Sequence, residues 1–562
     1  MIKRRPQVLY LTLLLLIVFL FSACEPLQQP LQSTSTDTEI TPPTVTKQPT
    51  AIQTKTTTTK QPVKIWFDPA LPSDLVHGKL SAVFDQYSAA KENASIQLTF
   101  NPDIELTKWV FALVAPFATV NDSVTSSDLI GFWQNGSDFP ADELVMAQST
   151  LDMLSARYGN PSGPVAALGA GELLDYRITR TNAWAVVPFQ NIQPNWKVIA
   201  IDEFSPIHKD FDLIEYSLTF GIGLSMGIEK QTNQDTFDQI VTSFEDLLPK
   251  TNRDESKLTT VIMTGVTALA RATAKEMELY GVLTPALSVG EVMREADVTH
   301  VSNEVPFASN CPPPQWVQDI DLVFCSDVSY IDLMREIGTD VVELTGDHFA
   351  DWGAEAMYLT LEMYRQEGWS YYGGGWDIDE AREPLKIEHN GNKIAFLGCN
   401  AKAPGYATAG ENVPGALHCD MDDMVDRVQA LRNEGYIVIV TFQHQEIYRW
   451  NPTEQMIADS RQMVEAGATV VSGSQAHVPH VFEFYEDGFI HYGLGNLFFD
   501  QKGWFENSDK TFLDRHVFYD GKYLGVELLT AQFFNWSTPT WMTPDARSEF
   551  LFELFENSSQ FE

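Results

Sequence analysis

The 562-residue chain is poor in positive charge, since 37 Lys and Arg stand against 76 Asp and Glu and give a formal net charge of −39. Proteins that bind nucleic acid or anionic lipid neutralise phosphates with Lys and Arg and release the condensed counterions. The composition therefore excludes a nucleic acid as the partner. It is consistent with a solvated extracellular surface.

Long apolar runs are also scarce. The run from residue 8 to residue 21 is broken only by Thr12, follows three basic residues and is too short for a spanning helix. It ends in Phe21-Ser22-Ala23-Cys24, which resembles a bacterial lipoprotein lipobox. We therefore expect residues 1–24 to be a lipoprotein signal peptide and Cys24 to carry a lipid at the outer face of the cell membrane. The alternative is an uncleaved membrane anchor, and in either case the remainder faces outward.

Cysteine is rare, with five residues in the chain. After acylation of Cys24, four remain, namely Cys311, Cys325, Cys399 and Cys419. Outside the cell they are expected to pair, and of the three possible connectivities we favour the local one, 311 with 325 and 399 with 419. A metal role is the lesser alternative, because neither pair has zinc-ribbon spacing.

Composition divides the rest of the chain into a tether and two folded parts. Residues 25–62 are rich in Thr, Pro, Gln and Ser, and this predicts a disordered tether. Residues 63–250 alternate short apolar runs with helix-like stretches, which predicts a smaller α/β domain. Its segments around 183–189 and 196–202 weakly resemble extracellular solute-binding proteins, so a ligand-binding role is open. Residues 258–562 again alternate strands and helices and form a second, layered α/β unit.

Polar clusters follow the predicted strands of this second unit, where open α/β sheets collect their chemistry. They are residues 263–266, 302–304, 345–353, 442–446, 473–477 and 491–500. Carboxylates, amides and imidazoles that converge from separate strands supply the O and N ligands of a divalent metal. A bound metal can polarise a phosphoryl or acyl group, and a nearby histidine can protonate a leaving group. One strand-end histidine alone is better explained by a backbone hydrogen bond, but the recurrence favours a site.

The order and the residues of these motifs resemble the CapA family. This family is named for poly-γ-glutamate capsule synthesis, and its domain is similar to calcineurin-like metallophosphoesterases. The motifs that carry the resemblance are Gly346-Asp347-His348 with Asp351-Trp352-Gly353, Ala466-Gly467-Ala468 with Gly473-Ser474-Gln475-Ala476-His477, and Tyr492-Gly493-Leu494-Gly495-Asn496. The resemblance implies an α/β/β/α metallophosphoesterase-like domain. It also implies a part in the synthesis, anchoring or processing of a capsular or other surface polymer or its precursor.

Several positions depart from the family's metal-binding pattern. Val266, Gln443 and Gln475 replace an Asp and two His, and Asp347 replaces an Asn. The remainder predicts one divalent ion (Mn, Zn or Mg) rather than a metal pair, with these ligands: Asn303, Glu304, Asp347, His348 and His477. His348 is the expected general acid, and Asp351 is the second catalytic candidate. The candidate ligand-binding residues are Arg271, Gln443, His444, Glu446 and Gln475, although Arg271 is equally explained as a solvated surface residue.

Two functions remain open at this point. One is a metal-dependent hydrolase or phosphoesterase-like enzyme, and the other is a non-catalytic extracellular protein that binds a ligand with the same fold. A polyanionic polymer is disfavoured by the acidic chain unless a local basic groove exists. The aromatic residues around Gly373-Gly374-Gly375 either rim a flexible polymer-binding loop or fill a core, and core filling is favoured; they are Trp352, Trp369, Tyr371, Tyr372 and Trp376.

Overall fold

The computed structural model describes residues 63–169, 171–173, 182–227, 234–317, 322–402, 405 and 407–561. The expected signal peptide, Cys24 and the expected tether therefore lie outside the described residues. Among the described residues, no helix is both long and apolar enough to cross a membrane. The protein is a mixed α/β protein with several sheets, as expected.

Sheet I is built from the first part of the described chain. Its spatial order is Ile65–Phe67, Ile96–Phe100, Thr219–Met226, Ile104–Pro116, Ala183–Pro188, Glu143–Ala147 and Val165–Leu168. Two further strands lie off this path: Trp196–Ile201 pairs with Ile104–Pro116, and Ser123–Val124 pairs with Trp196–Ile201. The strand Ile104–Pro116 is rich in Val, Phe, Ala and Leu and is buried over most of its length, as expected for a central strand covered on both faces. Its helices are Ser81–Tyr87, Ser126–Asn135, Gln148–Tyr158 and Gln234–Leu247.

Sheet II begins the second part. Its spatial order is Ser370–Tyr372, Val341–Glu343, Val298–Asn303, Leu258–Thr264, Lys510–Tyr519, Lys522–Phe533 and Pro539–Trp541, and Val266–Thr267 joins Val298–Asn303 to Asn496–Phe498. The first four strands are parallel, so their carboxyl ends meet at one edge. The helices in this part of the chain are Arg271–Tyr280, Gly290–Glu295, Ile331–Glu336, Gly353–Glu367 and Ile378–Arg382.

Sheet III has the spatial order Leu385–His389, Asn392–Asn400, Ile437–Gln443, Val470–Ser472, Gly488–His491 and Phe482–Tyr485. The four strands from Asn392–Asn400 to Gly488–His491 run parallel. The helices that follow in sequence are Met421–Asn433, Glu454–Ala466 and Pro544–Ser558. Two small strand pairs lie outside the large sheets: Phe307–Ala308 with Ser326–Asp327, and Gly374–Gly375 with Gly415–Ala416.

The apolar side chains show how sheets II and III are layered. One buried cluster takes residues from both sheets, for example Val261 and Val298 of sheet II with Phe396 and Ile439 of sheet III. Alternate residues on the same strands turn the other way, and Ile262 and Val301 pack with the helix residue Met277. On sheet III, Val438 packs with Met424 and Met463 of two helices in the same manner. Strand periodicity thus places sheet against sheet inside and helices outside.

Sheet I and sheet II share a contact rich in charge. His208, from the segment after Trp196–Ile201, lies with Nε2 2.8 Å from Oε1 of Glu527, and Oε2 of Glu527 accepts from Nε of Arg515 at 2.7 Å. Arg547 pairs with Asp122 at 2.8 Å. The ring of Tyr519 packs edge-on against Phe189. The two parts of the chain therefore meet over a surface that is both apolar and ionic.

The structure contains both disulfide bonds of the local pairing, Cys311–Cys325 and Cys399–Cys419. The aromatic segment is not a flexible loop. Tyr372 is buried in strand Ser370–Tyr372, and Gly374–Gly375 forms a strand pair, so core filling accounts for this segment.

Candidate functional site

A cluster of ionisable side chains lies where the parallel strands of sheets II and III end. Each member follows a strand by five residues or fewer: Glu304 after Val298–Asn303, Asp347 and His348 after Val341–Glu343, Lys402 after Asn392–Asn400, Glu446 after Ile437–Gln443, and His477 after Val470–Ser472. These six residues are called the strand-end cluster. Because two sheets contribute, charges far apart in sequence are brought together.

Glu304 lies at the centre of the strand-end cluster. It is 1% exposed, and both of its carboxylate oxygens lack a hydrogen-bond partner among the described residues. Burial raises the pKa of this carboxyl, the neighbouring His477 and His348 lower it, and Asp347 and Glu446 raise it, with a net rise. An unpartnered buried carboxylate is costly, so this side chain is poised for a proton, a cation or a hydrogen-bond donor.

His477 faces Glu304. Its Nε2 lies 3.7 Å from Oε1 of Glu304 and 4.0 Å from Oε1 of Glu446. Its Nδ1 lies 2.8 Å from Oδ1 of Asn496, whose amide nitrogen donates back to the carbonyl of His477. Since an amide oxygen only accepts, we assign the proton to Nδ1, which leaves Nε2 directed at the carboxylates.

His348 is held by Asp351. Its Nδ1 lies 2.7 Å from Oδ2 of Asp351. Burial lowers the pKa of this imidazole, but the bond to Asp351 and the charges of Glu304, Asp347 and Asp351 outweigh burial and raise it to about 9. His348 is therefore an imidazolium at neutral pH. It can donate a hydrogen bond or a proton.

Lys402 bridges two acids of the cluster. Its Nζ lies 2.5 Å from Oδ2 of Asp347 and 2.5 Å from Oε1 of Glu446, and its side chain is 6% exposed. Burial lowers the pKa of the ammonium, but the two carboxylates outweigh burial and raise it, while the pKa values of both acids are lowered. The second oxygens are also committed, since Gln443 donates to Oδ1 of Asp347 at 2.6 Å and Tyr448 donates to Oε2 of Glu446 at 3.3 Å.

The predicted metal site can be tested against these contacts. Two triads place their ligand atoms within 4.8 Å of one another: Glu304 with Asp347 and His348, and Glu304 with Glu446 and His477. Each triad contains one acid whose two oxygens are already paired, one of them to Lys402. A protein zinc site supplies at least three ligands, and any divalent ion held by Asp347 or Glu446 would lie beside the ammonium of Lys402 and be repelled by it. The arrangement therefore does not fit a divalent metal while Lys402 is in place.

Asn303, a predicted metal ligand, and His444, a predicted ligand-binding residue, have hydrogen-bond partners outside the strand-end cluster. Nδ2 of Asn303 donates to the carbonyl of Val305 and to the hydroxyl of Tyr364, while its buried Oδ1 has no hydrogen-bond partner among the described residues. Nε2 of His444 lies 3.0 Å from Oδ2 of Asp459. Adjacent residues of a strand point to opposite sides, which explains why His444 does not replace Gln443.

Gln475 and Arg271 also have internal partners. Nε2 of Gln475 donates to Oγ of Ser302 at 2.6 Å. Arg271 is 5% exposed, and its Nη2 lies 2.5 Å from Oδ1 of Asp500, so its interpretation as a solvated surface residue is wrong. The guanidinium lies over the rings of Phe324 and Phe499, and these rings pack against His348 and His477 respectively. Arg271 thus packs against the two rings that contact the histidines of the cluster.

The sequence reasoning missed Lys402 and Asn400, and it named Asn496 as part of a motif but not as a site residue. The available signal was position, because Asn400 and Lys402 stand at the end of a buried strand, as the recognised polar clusters do. Nδ2 of Asn400 donates to the carbonyl of Thr345 and its Oδ1 accepts from the backbone N–H of Lys402. Asn400 therefore ties the strand end of sheet III to that of sheet II.

The part of the chain that holds the strand-end cluster matches a known protein family. Residues 260–501 match the family described as bacterial capsule synthesis protein PGA_cap. The resemblance indicated by the motifs is thus confirmed for this PGA_cap region, which contains all six residues of the strand-end cluster.

Two curated relatives match part of the chain. The capsule biosynthesis protein CapA of Bacillus anthracis is 25% identical over 277 residues, which cover 49% of this chain and 67% of the relative. The PGA biosynthesis protein CapA of Bacillus subtilis (strain 168) is 27% identical over 193 residues, which cover 34% of this chain and 50% of the relative. The matches thus span between half and two thirds of the relatives' length.

Solved structures show a weaker likeness. A 5′-nucleotidase precursor from Thermus thermophilus has a TM-score of 0.30 at 13% identity, and the match covers 54% of this chain and 58% of that one. An ABC-type phosphate transport receptor from Vibrio cholerae has a TM-score of 0.26 at 15% identity, and the match covers 33% of this chain and 93% of that one. At such scores the likeness carries no statement about activity.

Proposed function

We propose that the protein takes part in the synthesis of a capsular polymer of the poly-γ-glutamate type, and that its strand-end cluster binds a γ-glutamyl unit of the polymer or its precursor. The observation that carries the proposal is the position of the cluster, since all six residues fall inside the PGA_cap region, residues 260–501. The layering of sheets II and III between helices supports a metallophosphoesterase-like α/β/β/α scaffold for this region.

The chemistry of the cluster suits an amide-linked ligand. Glu304 offers two acceptor oxygens without partners among the described residues, and His348, with a pKa of about 9, offers a charged donor. A γ-glutamyl amide presents one N–H donor and one carbonyl acceptor, so it can satisfy both residues at once. A buried acceptor that gains a donor recovers the cost of its own desolvation, which gives selectivity for the amide.

The same contacts favour binding over hydrolysis. Asp347 and Glu446 are both paired with the ammonium of Lys402, so neither is free to activate a water. A hydrolase remains the second candidate because the hydrogen bond that His348 donates to Asp351 favours the protonated imidazole, which is suited to protonate a leaving amine. The two functions differ in a simple observable, which is the release of a shortened product.

The proposal includes a place in the cell. Anchoring through a lipid on Cys24, at the end of a tether over residues 25–62, would hold the PGA_cap region close to the outer face of the membrane. Two disulfide bonds support an oxidising, extracellular setting. The acidic chain would repel a polyanion at long range, so recognition must come from short-range contacts.

The proposal is tested by calorimetric titration of the full chain with γ-linked glutamate oligomers, with α-linked oligomers of equal length as the control ligand. We expect the γ-linked ligand to bind more tightly, the affinity to rise with salt as repulsion is screened, and Glu304→Ala to weaken binding at least tenfold. Glu434→Gln removes an exposed acid and should leave binding unchanged. Equal affinity for both linkages, or an unaffected Glu304→Ala variant, would overturn the proposal.

Mass spectrometry of the same mixtures separates the two candidate functions. Intact oligomers after prolonged incubation are expected for a binding protein. Shortened oligomers that disappear in the His348→Ala variant would establish the hydrolase instead.

A further inference from the structure

We infer that Lys402 is the resident cation of the strand-end cluster, and that its ammonium takes the place of a divalent metal between Asp347 and Glu446. The inference concerns the charge balance of the site, so its test does not depend on whether the protein binds the proposed polymer. Its consequence is a PGA_cap region that works without a divalent metal.

The contacts of the ammonium form the first step. Asp347 comes from the end of a sheet II strand and Glu446 from the end of a sheet III strand, and both meet Nζ of Lys402 at 2.5 Å. Two carboxylates that converge from separate sheets onto one buried point need a positive charge there. Lys402 supplies this charge from within the chain.

The backbone around Lys402 is the second step, because it shows that the side chain is held in place. The N–H of Lys402 donates to Oδ1 of Asn400 at 2.9 Å, and the N–H of Ala401 donates to the carbonyl of Gln443 at 2.7 Å. The disulfide bond from Cys399 to Cys419 fixes the chain just before this point. The end of the strand that carries the lysine is thus held in place by backbone hydrogen bonds and a disulfide bond.

The third step concerns the three positions at which the resemblance implies metal ligands and this chain has Val266, Gln443 and Gln475. Val266 is fully buried in an apolar cluster with Val305 and Phe499. Gln443 donates a hydrogen bond to Asp347, and Gln475 donates one to Ser302. Of the three positions that the resemblance assigns to metal ligands, Val266 offers no ligand atom, and the Oε1 of Gln443 already accepts from Asn400 at 3.3 Å. Only the Oε1 of Gln475 lacks a partner among the described residues, and one neutral amide oxygen is a weaker ligand than the acid and the two histidines that the resemblance implies.

The fourth step is mutual exclusion. A metal in either triad would need an oxygen of Asp347 or Glu446 and would lie beside the ammonium that these oxygens now hold. Two cations in one small, water-poor site repel each other strongly. Removal of the ammonium should therefore free the acids for a metal.

The test is metal binding by the full chain, measured with MnCl₂ and ZnCl₂ by calorimetry and by elemental analysis after dialysis. We expect the native protein to retain no stoichiometric metal and its melting temperature to be unchanged by EDTA. Lys402→Met should bind one equivalent of Mn²⁺ or Zn²⁺ at least tenfold more tightly than the native protein and melt at a higher temperature in its presence. Lys402→Arg, which keeps the charge, should bind no metal.

Two further variants keep the test decisive. Lys386→Met removes an exposed lysine paired with Glu434 and should leave metal binding at the native level. If Lys402→Met does not fold, the double variant Lys402→Met with Glu446→Gln loses one charge of each sign and still leaves Glu304, Asp347 and His348 for a metal. One tightly held metal in the native protein, or folded variants without a gain in metal affinity, would overturn the inference.

Discussion

Asp351 and His348 form a short pair in which Oδ2 of the carboxylate lies 2.7 Å from Nδ1 of the imidazole. The same oxygen accepts the backbone N–H of Phe324 at 2.7 Å, and the Phe324 ring packs 4.8 Å from the imidazole. The carboxylate therefore fixes the orientation of His348 and stabilises its charged form. This relationship can be broken by replacing one carboxylate oxygen.

Asp351→Asn should lower the pKa of His348 from about 9 by at least one unit. The amide keeps the shape of Asp351 but removes the negative charge that faces the imidazole, so burial, which lowers the pKa, weighs more. The measurement is an NMR titration of the histidine ring nitrogens, with His348→Ala to assign the signal.

Asp459→Asn is the matched control, because Asp459 pairs in the same way with His444 outside the cluster. It should leave the titration of His348 unchanged. An unaltered pKa of His348 in Asp351→Asn would show that the pair does not set the charge of the imidazole.

The strands and helices of the PGA_cap region were predictable because their apolar residues recur with clear periods. The apolar run that begins at Leu258 forms the strand Leu258–Thr264, and the segment with helical periodicity before Gly467 forms the helix Glu454–Ala466. Strand ends also pointed to Glu304, Asp347, His348 and His477, and the structure places these four side chains in one cluster because parallel strands end at one edge.

The partners of the charged residues were not predictable in this way. Arg271 pairs with Asp500, 229 residues later, and Lys402 pairs with Asp347 across two sheets. Such residues are mostly exposed in proteins, so composition favours a solvated position. Their burial follows from tertiary contacts that no local pattern encodes.

Acid should destabilise the fold partly through His516. Burial lowers the pKa of this imidazole to about 4, Asp514 opposes the shift, and His491 and His300 add to it. Because the unfolded chain takes up this proton near pH 6.5, the contribution of His516 to stability is constant above that pH and falls as the pH drops towards 4, by about 3 kcal/mol in all.

His516→Gln removes this titration and can still contact the hydroxyl of Tyr523, which lies 2.9 Å from Nδ1 of His516. The loss of unfolding free energy between pH 7 and pH 4.5, measured with urea, should therefore shrink by about 2–3 kcal/mol in the variant. An equal loss in both proteins would show that His516 is not responsible.

The Cys399–Cys419 bond should protect Lys402. Replacement of both cysteines by alanine opens a loop of sequence separation 20 and should cost about 3 kcal/mol in unfolding free energy. It also loosens the strand end that holds Lys402, so this amine should become reactive towards an acylating reagent, as read by mass spectrometry.

The Cys311–Cys325 pair is the matched control, with a sequence separation of 14. Its removal should cost a similar free energy but leave Lys402 unreactive, because this bond lies outside the strand end. Equal acylation of Lys402 in both double variants would mean that general loosening, rather than the local bond, exposes the amine.

Val266→Asp should fail to restore a metal ligand. The resemblance places an acid at this position, but the side chain of Val266 is fully buried in an apolar cluster that contains Ala268, Val305, Phe324 and Phe499. A carboxylate buried there without partners should cost several kcal/mol, against about 2 kcal/mol for Val266→Ala, which only removes volume.

The two variants are compared by urea unfolding with and without MnCl₂. If the acid pointed into the strand-end cluster, Mn²⁺ would recover stability in Val266→Asp and not in Val266→Ala. We expect no recovery in either, because the acid would lie among aromatic rings and the ammonium of Lys402 is still paired with Asp347 and Glu446. Recovery limited to Val266→Asp would instead mean that this position still reaches a metal and that the ammonium of Lys402 gives way to it.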